Sequence, residues 1–200
     1  MRQTAIKYIL TVLSWLAVLY PLWIRAQNVT LSFDRGLWLD LFPFFGIAAF
    51  CIMWLHVIGG ALQDWLRRYV DLEEFVNNTS LVVFILMILH PVFLLIGLGA
   101  GASNVFFSGN GYIWLGVIGL VLLLTYDLGK AFKRRGLFIR YWNAILLIST
   151  IGFIFIFFHS LGLGSDLQAG PLRVLWIIYG ATGIAATIYN YGLRRMFGPK

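Results

Sequence analysis

Residues Leu81–Gly97 read LVVFILMILHPVFLLIG, and Ala144–Gly164 read AILLISTIGFIFIFFHSLGLG. Each sits in an apolar stretch that predicts a membrane-crossing helix, which takes about 20 residues. Each also holds one histidine, His90 and His159, in a chain with only three. An imidazole in hydrocarbon is costly unless something satisfies it, so an ionisable residue within a span is a functional candidate by default. Two imidazoles on two helices form the smallest set that grips a haem iron from both sides. A plainer reading stands beside this one: each histidine hydrogen-bonds a neighbouring helix as interhelical glue.

Composition sets the class. The chain is 60% hydrophobic and 12% charged, with a mean hydropathy of +0.86. A soluble domain of this length could not bury so much apolar surface. Six stretches reach spanning length: roughly 5–24, 39–62, 79–99, 111–128, 142–162 and 173–193. The expected fold is therefore all-α, a single six-helix transmembrane bundle over residues 1–200. The spans use nearly the whole chain and leave no room for a soluble flavin or nicotinamide domain. The first run ends in PLWIRAQ rather than a small-x-small cleavage site, so it reads as a retained helix, not a signal peptide.

Basic residues orient the bundle. Arg2 and Lys7, Arg67 and Arg68, Lys130 to Arg140, and the C-terminal Arg194, Arg195 and Lys200 place twelve of the fifteen Lys and Arg on one side. Arg25, Arg35 and Arg173 face the other. The positive-inside rule makes the first side cytoplasmic, and an even number of spans puts both termini there. The expected location is the cell membrane, with lipid as the surrounding partner. The net charge of +7 is then a topology signal, and no nucleic-acid partner is implied.

In this topology His90 and His159 both fall in the outer half of the membrane. His56, in CIMWLHVIGG, falls in the inner half without a histidine at its depth, and is expected to be structural. Cys51 is a lone cysteine within the second span, which excludes a disulfide framework or thiolate cluster. The spacings Gly97, Gly99, Gly101 and Gly116, Gly119 fit close helix packing. No internal repeat is evident.

Several elements together resemble the ferric reductase-like transmembrane domain. They are Gln63-x-x-x-Arg67 after the second span, Leu89-His90-Pro91 in the third, Tyr141-Trp142 opening the fifth, and His159-x-x-x-x-Gly164-Ser165-Asp166-Leu167 closing it. The family includes ferric reductases, NADPH oxidases and the haem subunit of a periplasmic methionine sulfoxide reductase system. The resemblance covers about residues 40–193. It implies haem b, carried by histidines on two helices. The family usually has a second histidine thirteen or fourteen residues before each of these. Here those positions are Val76 or Asn77, and Ile145 or Leu146. The resemblance therefore implies one outer haem and no inner one.

The expected function is one-electron transfer by a membrane haem protein, with His90 and His159 as axial ligands. Two imidazoles leave no open iron position, which suits electron transfer rather than oxygen chemistry. Phe93 and Phe158, with Leu94 and Phe155, are candidates for the apolar wall around the cofactor. Arg173 is a candidate partner for a propionate, since guanidinium suits carboxylate. The electron donor, a quinol or a redox protein, and the acceptor are open, and so is whether the chain is an oxidoreductase alone or with a partner. Two other classes remain: a haem-free scaffold or assembly subunit of the same family, and a small transporter. The transporter class is disfavoured because no repeat is clear and midplane polar groups are few.

Overall fold

The computed structural model describes residues 2–27, 29, 36–132 and 136–194. Among them there is no strand. The long helices are α1 (Arg2–Ala26), α2 (Gly36–Ala61), α4 (Leu72–Leu98), α6 (Gly111–Ala131), α8 (Trp142–Leu163) and α9 (Gly170–Ile188). Short helices α3 (Gln63–Leu66), α5 (Ala102–Phe107) and α7 (Gly136–Arg140) lie in the connections, and a π-helical turn, Tyr189–Leu193, extends α9. Six helices are long and apolar enough to cross a membrane.

The spans agree with the sequence to within a few residues except at α4, which starts at Leu72 rather than near 79. Asp71 caps this helix, its carboxylate accepting the Glu74 backbone N–H at 2.9 Å. Glu73 and Glu74 occupy the first turn. Hydropathy cannot see such a polar turn, but the cap and the acidic residues both favour a helix N-terminus.

The helices alternate in direction. One end carries the start of α1, the loop 62–71 and the end of α9; we call it the basic end. Of the residues that set the expected orientation, Arg35, Lys133, Arg134, Arg135, Arg195 and Lys200 lie outside the described residues. At the opposite end Arg25 of α1 pairs with Asp166, just after α8, at 2.7 Å. That assigns a structural role to the aspartate of the Gly-Ser-Asp-Leu ending.

Packing follows two antiparallel pairs, α2 with α4 and α6 with α8. Glycines permit the second: a Cβ on Gly152 would meet the Gly119 carbonyl oxygen at 2.8 Å and the Leu123 nitrogen at 2.9 Å. Helix α9 closes the bundle against α2, where Trp176 stacks on Phe50 (4.2 Å between centroids) and Tyr179 on Trp54 (4.3 Å). Gly99 and Gly101 do not pack on any helix. Gly99 has φ +52° and ends α4, a conformation that glycine adopts without steric cost.

Candidate functional site

His90 and His159 occupy matched settings. His90 Nδ1 lies 2.8 Å from the Phe42 carbonyl oxygen of α2. His159 Nδ1 lies 2.7 Å from the Tyr112 carbonyl oxygen of α6. A carbonyl only accepts, so in both rings Nδ1 carries the hydrogen and Nε2 of the neutral imidazole holds a bare lone pair. Neither Nε2 has a hydrogen-bond partner among the described residues.

Each ring also lies against a glycine one helical turn beyond the accepting carbonyl. A Cβ on Gly46 would meet His90 Nδ1 at 2.8 Å and Cε1 at 2.9 Å. A Cβ on Gly116 would meet His159 Cε1 at 2.5 Å and Nδ1 closer still. The unit is thus an aromatic residue, three intervening residues and a glycine on one helix, serving a histidine on the next. Its separations are 48 residues in the first pair and 47 in the second. The two helix hairpins therefore repeat one local device, which the sequence reading missed. Phe42-x-x-x-Gly46 and Tyr112-x-x-x-Gly116 were its signal. Gly116 serves the close helix packing its spacing suggests, and the α8 group it admits is the His159 imidazole.

Helices α4 and α8 pack on α2 and α6 rather than extensively on each other. No cluster of three or more His, Cys, Asp or Glu among the described residues could hold a bare metal ion. Each of the two oriented imidazoles instead presents one unbonded ring nitrogen. A donor bond from Nδ1 to a carbonyl fixes the ring and raises the basicity of the other nitrogen, as ligating histidines commonly require.

The other candidates lie as follows. Phe93 makes edge contacts with Trp38 (4.9 Å) and Phe45 (4.7 Å) of α2. Phe158 is exposed beside Phe157, while Leu94 and Phe155 are half-buried. Arg173 Nη1 donates to the Leu167 carbonyl at 2.7 Å and so braces the turn before α9.

His56 has the opposite tautomer. Thr79 Oγ1 gives its hydrogen to the Phe75 carbonyl (2.7 Å), so it accepts from His56 Nε2–H, also at 2.7 Å. His56 Nδ1 keeps the lone pair. The bond ties α2 to α4.

Towards the basic end the bundle holds a cavity of about 1030 Å³. His56, Val76, Asn77 and Leu146 line it, so three of the four positions where the resembled family would carry inner ligands face this space. No family model, curated protein or solved structure matches the chain.

Proposed function

We propose that this chain is a membrane haem protein for one-electron transfer, ferric reductase-like, with one haem b held by His90 and His159. The observation that carries the reading is the matched pair of Nδ1–H bonds to the Phe42 and Tyr112 carbonyls, which leave both Nε2 atoms free to ligate. A histidine used only as interhelical glue in hydrocarbon gains from satisfying both nitrogens, and these two satisfy one each.

When bound, the haem supplies a reversible one-electron couple. The chain supplies what surrounds it. The Phe42 and Tyr112 carbonyls hold the rings in orientation, and Gly46 and Gly116 let them approach the helix backbones. If His90 and His159 both held the haem, they would leave its iron closed to oxygen, which would favour electron transfer over oxygenation. The basic bias supports a cell-membrane protein with both termini in the cytoplasm, which would put the histidine pair in the outer half of the bilayer.

The test is spectroscopic. Purified protein should show a Soret band, sharp reduced α and β bands, and one haem per chain in a pyridine haemochrome assay. A colourless preparation supplied with haem during expression would favour the scaffold class. A ratio near two would mean an inner site built without the usual histidines.

A further inference from the structure

The cavity at the basic end has mixed walls that restrict what can fill it. Met53, Val83, Met87, Leu123 and Phe153 make it apolar in depth, while His56, Asn77, Asp127, Ser149 and Thr150 add polar groups. Arg67, Arg68, Asp71 and Glu73 line the part nearest the loop 62–71. A wholly polar solute would waste the apolar depth. An acyl chain alone would leave the polar groups without partners, which is costly in hydrocarbon.

Among the uncharged residues that line it, His56 and Thr150 each carry an atom that can only accept. His56 spends its one N–H on Thr79, so its Nδ1 is a bare acceptor. Thr150 spends its hydrogen on the Leu146 carbonyl at 2.8 Å, so its Oγ1 also accepts, and its other contact is a long 3.5 Å approach of the Tyr191 hydroxyl. These acceptors stand on different walls, α2 and α8. The ligand that answers them carries two O–H donors on an otherwise apolar body. At these two atoms, which lie deeper than Arg67 and Arg68, an ester-headed lipid offers acceptors to acceptors, and a sterol offers a single hydroxyl.

We propose that this cavity binds a membrane quinol, an aromatic diol on an apolar tail, with its hydroxyls donating to His56 Nδ1 and Thr150 Oγ1. The dione form of the same ring has no O–H to donate, so the site discriminates by redox state. The electron-transfer reading would make such a ligand the donor, but the binding does not rest on that reading.

Isothermal titration of the full-length protein in detergent, with decylubiquinol and separately with decylubiquinone, tests this. The expected result is one saturable site that prefers the reduced form by about thirtyfold, the worth of two hydrogen bonds at typical net strength. Thr150→Val, nearly isosteric, should cost about fivefold in quinol affinity and little in quinone affinity. Ser149→Trp, which fills the space, should remove binding of both forms. Wild-type-like elution confirms that each variant is folded. Three results would overturn the proposal: no saturable binding to the wild type, equal affinity for the two redox forms, or displacement of the quinol by equimolar phospholipid or sterol. Haem content read on the same samples separates the two readings. Coloured protein that ignores quinol sinks this inference alone, and colourless protein that prefers quinol sinks only the haem assignment.

Discussion

Gly116→Ala is the sharpest probe of how the histidine rings are held. The new Cβ would lie 2.5 Å from His159 Cε1, whereas ordinary contact begins at 3.4 Å. The ring must therefore retreat by about 0.9 Å, because the other party is a helix backbone that cannot yield. Retreat along the bond would stretch the His159–Tyr112 contact from 2.7 Å to about 3.6 Å, no longer a hydrogen bond. Losing that bond costs about 1 kcal/mol and the overpacking about 1–3 kcal/mol. Gly46→Ala is milder: its closest contact is 2.8 Å, so a shift of about 0.6 Å leaves a weakened bond from His90 to Phe42. Gly101→Ala is the control, since nothing lies within 4 Å of its Cβ. The assay is the rate of haem transfer to an excess of apomyoglobin, followed at the Soret band. The expected order of loss is Gly116→Ala fastest, Gly46→Ala intermediate, and Gly101→Ala like the wild type. If Gly116→Ala retains haem as the control does, the glycine seat is not what holds His159.

Other outcomes follow from the same structure. Asp71→Ala removes the cap of α4 and should cost about 1 kcal/mol, read by denaturant or thermal unfolding in detergent. Asp166→Asn discharges the partner of the largely buried Arg25 and should destabilise by about 1–3 kcal/mol, with Glu at this position failing to restore the 2.7 Å geometry. Arg68→Cys should react with an impermeant maleimide only from the cytoplasmic side, a clean readout because the native Cys51 is 0% exposed; labelling of intact cells would invert the topology.

The sequence made the architecture legible because a bilayer demands long apolar helices, and periodic detail hardly matters to that demand. The six spans and the three histidines within them could be read directly. The start of α4 could not, since its first turns are polar and held by Asp71 and the glutamates that follow. The setting of the histidines was hidden for another reason. Phe42, Gly46, Tyr112 and Gly116 act through backbone atoms and through the lack of a side chain, and they lie almost fifty residues from the rings they serve. In runs so rich in aromatic residues and glycine, one such pair does not stand out. The tautomer of His56 likewise depends on which acceptor Thr79 finds, a fact of the packed helix pair and not of either segment.

The measurement closest to the central claim is the reduced-minus-oxidised spectrum of three variants, His90→Ala, His159→Ala and His56→Ala, at equal amounts of membrane-inserted protein. Each of the first two removes one of the two proposed ligands and should abolish or severely reduce the haem signal. His56 hydrogen-bonds Thr79 beside the cavity at the basic end, so its replacement should leave the sharp reduced bands in place. Loss of the signal in His56→Ala with its survival in His159→Ala, or no change in all three from a coloured wild type, would contradict the account.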